Sequence, residues 1–180
     1  MKLVCVLFTF ISFLGFAQEK YLTKTGLLSF EASVASFEEI KATNTNVTSI
    51  FNASNGQFAA LALVKGFRFK NALMEEHFNE SYAESDSYPK AIFKGTLKGY
   101  TENNTLNSYR IEGTLNFHGV TKTLENVNVD VKASKSSLNF KGVFKLTPKD
   151  FNVEIPKIVS SKIAETVAVI FEFDMKIKSD

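Results

Sequence analysis

The chain has 180 residues, 44% of them hydrophobic, and a formal net charge of +2, which is one domain's length with apolar surface enough for a sizeable core. Charges of both signs are interspersed, without a basic stripe or polybasic block, so nucleic acid and other partners chosen by charge are not expected.

Residues 1–17 read as a processing signal. Lys2 is followed by the apolar run Leu3 to Phe16, and Gly15-Phe16-Ala17 offers small residues at both positions a signal peptidase reads. The run is short for a bilayer span, and no later stretch is long enough, so no integral membrane segment is expected after cleavage. The single cysteine, Cys5, falls inside this signal and too early for a lipid attachment motif. A mature chain of residues 18–180 then has a charge of +1 once Lys2 is removed, no thiol and no disulfide. Export to the periplasm or the exterior is the expectation.

Two-residue alternation dominates the rest. Strands are expected at Leu27 to Ala32, Lys41 to Asn52 and Gln57 to Lys65, with Ala53-Ser54-Asn55-Gly56 as a turn. The alternation lapses from Gly66 to Lys90. Ala72 to Asn79 is the best helix candidate there, and a connection of this length in a β domain usually has a function. Tyr88-Pro89 introduces the strand Ala91 to Tyr100, because proline holds the residue before it extended. After a turn at Thr101-Glu102-Asn103-Asn104 comes the most regular strand: Tyr109, Ile111, Leu115 and Phe117 share one face, and Arg110, Glu112, Thr114 and Asn116 the other. His118-Gly119 reads as a tight hairpin into Thr121 to Lys132, where a phase change between Leu124 and Val127 implies a β-bulge. Ser137 to Leu146 follows a Ser134-Lys135-Ser136 turn. After a weaker interruption at Pro148 to Ile163, the last strand carries Val167, Val169, Phe171, Phe173, Met175 and Ile177 on one face. About eight short antiparallel strands make an all-β barrel or sandwich.

Chemistry is scarce. His77 and His118 stand in unlike contexts and no cysteine joins them, so neither a metal site nor a cofactor is expected. His118 reads as a turn residue, His77 as packing or a polar tip at a barrel mouth. Glu38-Glu39 and Glu75-Glu76 read as solvated faces, since adjacent helical residues do not face each other. No nucleophile elbow or phosphate loop occurs, so no catalytic residue is assigned. Four glycosylation sequons, at Asn46, Asn52, Asn79 and Asn103, matter only in a eukaryotic secretory route. Phenylalanine stands out: four of the 18 lie in the signal, leaving 14. They either fill a core or line an interior with room for a long apolar ligand.

The stretch Phe67-Arg68-Phe69-Lys70-Asn71-Ala72-Leu73-Met74, then His77-Phe78-Asn79-Glu80-Ser81-Tyr82, then Tyr88-Pro89-Lys90-Ala91-Ile92-Phe93-Lys94-Gly95, resembles the YceI-like domain family. Tyr109 to Lys122, with its G-x-L-x-x-H-G-V-T-K hairpin, extends the resemblance. Two departures stand out: the first strand reads as short, and Pro148-Lys149-Asp150-Phe151-Asn152 replaces an arginine-containing R-x-D-F-G-like motif. The resemblance implies an extended eight-stranded antiparallel lipocalin-like barrel, with its short helix near a barrel mouth. It also implies a non-catalytic, periplasmic binding protein for an isoprenoid or similar lipid, for transport or storage. The tail would be held by apolar contacts rather than a charged anchor. On the inward faces, Phe93, Leu97, Tyr109, Ile111, Leu115, Phe140, Phe144, Phe171 and Phe173 would line its path. Phe67, Phe69, Leu73 and Phe78 would close one end. The alternative is a stress-related or interaction protein with a closed, Phe-filled barrel and no ligand. Oligomeric state is left open, a homodimer included.

Overall fold

Alternating side chains close into a barrel in the computed structural model, which describes residues 19–35, 37–101 and 107–178. The signal expected at residues 1–17 lies outside the described residues, as does most of the turn after Thr101. The strands are β1 (Lys20–Ser33), β2 (Lys41–Asn52), β3 (Gln57–Leu63), the two-residue β4 (Arg68–Phe69), β5 (Lys90–Lys98), β6 (Ser108–Phe117), β7 (Val120–Ala133), β8 (Ser137–Leu146) and β9 (Ile163–Ile177). Eight of them form a closed antiparallel barrel in the order β1-β9-β8-β7-β6-β5-β3-β2, sealed by β1 pairing with β2. β4 is an appendage on the β2 edge, with Ala42 opposite Phe69. One helix, α1 (Ala72–His77), runs into a π-helical turn (Phe78–Tyr82) inside the β4–β5 connection. The helix thus starts where expected and changes pitch two residues before Asn79.

Local chemistry accounts for the special points. His118 and Gly119 both have positive φ, +49° and +73°, the mirror-image turn that matches strand twist in a two-residue hairpin. The expected bulge is present: Ile111 faces Val127 but Gly113 faces Leu124, and Asn126 takes a left-handed φ of +57°. The first strand is 14 residues long, not the short one expected. Its register breaks between Thr23 and Gly26 against β2 and between Leu22 and Leu27 against β9, so inward residues change from Tyr21 and Thr23 to Gly26, Leu28 and Phe30. A phase change within a strand hides half of it from a period-two reading.

In an up-and-down barrel successive connections alternate ends. The connections after β1, β3, β6 and β8 gather at one end, and the turns after β2, β5 and β7 at the other. The turn end is filled. Phe51, Phe140, Phe58, Phe173 and Phe171 form a column with ring centroids 5.0 to 5.8 Å apart, backed by Tyr109, Leu97, Val129 and Met175. Two glycines make room for it. A Cβ on Gly26 would collide with the Phe173 ring, and one on Gly142 would stand 2.5 Å from Phe171 Cζ. Ile177, expected on the inward face, is at the strand end and exposed.

Ile111 is 3% exposed in this core, whereas Glu112 points outward to Lys98 Nζ at 2.6 Å. Ile111→Asp should lower stability by several kcal/mol, roughly 4, because an unpaired charge is buried. Glu112→Lys should cost no more than about 1 kcal/mol, the range of a surface ion pair. Urea unfolding of the two variants checks this, and equal midpoints would reverse the assignment of faces.

Candidate ligand-binding site

At the end with the long connections small residues, Ala32, Ala83, Ala91, Val167 and Val169, stand among the larger ones, and the interior is hollow. The cavity measures about 340 Å³. Its walls come from the ends of β1, β5, β6, β8 and β9, from α1 and its π turn, and from the 147–162 connection. A second cavity of about 70 Å³ continues inward toward Phe58, Phe171 and Phe173, sharing Leu28, Ala91, Leu115 and Phe144 with the first. The barrel is therefore neither an open tunnel nor a packed core along its whole length.

An aromatic cluster shapes the mouth. Phe30, Phe67, Phe69 and Phe78 meet with centroids 5.2 to 5.9 Å apart. A carboxylate fastens the segment that carries Phe67, Phe69 and Phe78. Glu75 accepts from Arg68 Nη1 and from the Phe69 amide, both at 3.0 Å, so it is a structural anchor rather than the solvated residue expected. Asn71 caps α1 by accepting from the Leu73 amide at 3.0 Å.

His118 ties the opposite wall. Its Nδ1 lies 2.9 Å from the Phe151 carbonyl oxygen, which can only accept, so Nδ1 is the donor. Nε2 lies 3.4 Å from Glu84 Oε1, close but not aligned for a hydrogen bond, while the Tyr88 ring lies 4.5 Å away, centroid to centroid. Phe151 ends a 3₁₀ turn (Pro148–Phe151), and Asn152 follows in the left-handed conformation at φ +56°. Asparagine tolerates that conformation best after glycine, so Asn152 fits the turn this segment makes.

The expected site residues divide into three groups. Phe67, Phe69, Phe78, Leu115 and Phe144 line the large cavity. Phe93, Ile111, Phe171 and Phe173 border the small one, where Leu115 and Phe144 recur. Leu97, Tyr109 and Phe140 lie in the filled end, on neither wall, and Leu73 is 57% exposed on the outer side of α1, where its neighbour Met74 faces the cavity instead. Sequence reasoning missed Phe30, Ile40, Val153, Ile155, Val159 and Lys162. The last four sit in the connection read only as an interruption. Burial first, then the Glu19 carboxylate, raises the Tyr21 phenol above its ordinary pKa; Tyr21 packs with the filled end, so this reflects packing rather than chemistry. No group of three potential metal ligands occurs among the described residues.

The model of the YceI-like domain matches residues 20–175. Among solved structures, a polyisoprenoid binding domain from Saccharophagus degradans, implicated in plant cell wall breakdown, superimposes with a TM-score of 0.74 at 14% identity, covering 89% of this chain and 99% of its own. BcnA from Burkholderia cenocepacia gives 0.64 at 18% identity over 82% of this chain and 94% of its own. The YceI protein of Campylobacter jejuni gives 0.65 at 14% identity, over 79% and 88%. At these identities the likeness is one of fold. The search of curated proteins found no match.

Removing the His118 ring should leave the Phe151 carbonyl buried without a partner. His118→Ala is expected to cost about 1–3 kcal/mol in urea unfolding. Hydrogen exchange should quicken at residues 148–153 before it does in β8 or β9. Uniform quickening over the whole barrel would show that the contact does not hold this wall.

Proposed function

The chain belongs to the YceI-like domain family, and from that premise we propose that it holds a long apolar chain of the isoprenoid type in the hollow end of its barrel. In this reading it is a periplasmic or secreted carrier or store and not an enzyme. The observation that supports it is the cavity of about 340 Å³, walled almost entirely by hydrocarbon and reached through the mouth between α1 and the 147–162 connection. No helix among the described residues is long and apolar enough to cross a membrane. The alternative of a closed, Phe-filled barrel describes one half of the interior only; a well-packed protein interior does not leave a void of this size.

Size gives the reading a quantitative form. An apolar cavity of roughly 150 Å³ takes up a six-carbon ring, so in proportion 340 Å³ suits about 14 carbons, close to three isoprene units. Each methylene that enters contributes roughly 0.8 kcal/mol, and carbons left outside contribute little. Affinity should therefore climb with chain length and then level off.

Titration of delipidated protein with isoprenoid alcohols of ten, fifteen, twenty and forty carbons is the test. Dissociation constants should fall by at least about ten-fold from ten to fifteen carbons and change by less than about three-fold beyond twenty. Ala91→Phe, which places a ring where the two cavities meet, should abolish binding while keeping most of the stability, since the ring enters space already empty. No binding, or flat affinity across the series, would favour the closed barrel.

A further inference from the structure

We propose that the mouth of this cavity carries a subsite for an oxyanion head group, a carboxylate or a phosphate, centred on Lys162. The preferred ligand is then an anionic amphiphile rather than a neutral hydrocarbon chain. This inference rests on the reading that the cavity holds the apolar tail.

Three side chains on the cavity wall can donate a hydrogen bond: His77 at the end of α1, Tyr82 at the end of the π turn, and Lys162 just before β9. No carboxylate lines the wall among the described residues. Of the two acids on α1, Glu75 already serves Arg68 and the Phe69 amide, and Glu76 is exposed and off the cavity wall. Among the wall residues His77 and Lys162 are the exposed ones; the others are buried or half-buried. His77 on α1 and Lys162 just before β9 therefore stand where the wall meets solvent, and the wall is otherwise almost all hydrocarbon. No hydrogen bond or ion pair engages the Lys162 ammonium, the His77 ring or the Tyr82 hydroxyl among the described residues.

A neutral hydrocarbon gains nothing from such a rim. An oxyanion does, because the ammonium supplies three donors and the apolar wall beneath keeps the local dielectric below that of water. The head group stays partly solvated at the rim, so the gain resembles that of an exposed ion pair, about five-fold in affinity.

The experiment uses one fifteen-carbon isoprenoid as its alcohol, its carboxylic acid and its monophosphate, titrated into the delipidated protein. The acid or the phosphate should bind about five-fold more tightly than the alcohol at low ionic strength. That advantage should shrink as salt is raised from about 20 mM to about 500 mM, while the alcohol is unaffected. Within the Lys162→Gln variant the charged ligands should bind no more tightly than the alcohol does, and Lys162→Arg should retain the preference. Whichever of carboxylate and phosphate shows the larger advantage identifies the head group. Equal affinity for all three ligands, or a preference that survives Lys162→Gln, overturns the subsite and leaves the tail reading standing. Failure of every form, the alcohol included, overturns both.

Discussion

Closure of the sheet on β1 is the constraint from which the rest follows. β1 pairs with β2 on one side and β9 on the other, so no strand is left free to shift and the interior volume is set by strand number and stagger. Inward side chains must then fill that volume or leave it empty. At the turn end they fill it with stacked phenylalanines; at the other, alanines and valines such as Ala32, Ala91, Val167 and Val169 leave space between the larger side chains. One geometry thus yields a plug and a pocket, because residue size changes along the strands.

The pocket is kept open by elements the strands do not supply. Its mouth is bounded by the β4–α1 segment on one side and the 147–162 connection on the other, each fastened by a small number of polar contacts. Glu75 gathers Arg68 and Phe69 so that the Phe67, Phe69 and Phe78 rings face inward. His118 holds the Phe151 carbonyl, joining the β6–β7 hairpin to a turn 33 residues further along. The hairpin and the Pro148–Asn152 segment, which look independent in the sequence, are two halves of one contact.

Much of this was legible in the residues. Alternation located the strands, the hairpin at His118-Gly119 and the bulge before Val127, because side-chain direction in a strand has a period of two. The same rule concealed the first half of β1, where the irregularity after Thr23 reverses the phase. The pocket was less legible. Tyr109 and Ile111 share a strand face with Leu115, yet only Leu115 reaches the large cavity, since height along the barrel decides which inward residues meet space. Leu73 and Met74 show the same limit on a helix: adjacent residues point apart, and the apolar one nearer the motif was the outward one. Lys162 was invisible for another reason. Its segment has no period, so only the folded chain brings it to the rim.

Division of the barrel into a filled and a hollow half also bears on how a ligand would act on the protein. The stacked column at the turn end secures the closed sheet, so the other end can carry a void that a uniformly thin core could not support. Regions with few buried apolar contacts are the first to open locally; α1 has no buried residue, and Phe151 and Val153 are the only buried residues of the 147–162 connection. A tail lying in the cavity would touch Phe78 and Met74 on one side and Val153 and Val159 on the other, elements that no strand pairing joins. Its binding would supply the packing that the mouth lacks when empty, and the gain would fall on the hollow end rather than on the plug. A ligand there would complete the core at the end where the chain leaves it unfinished.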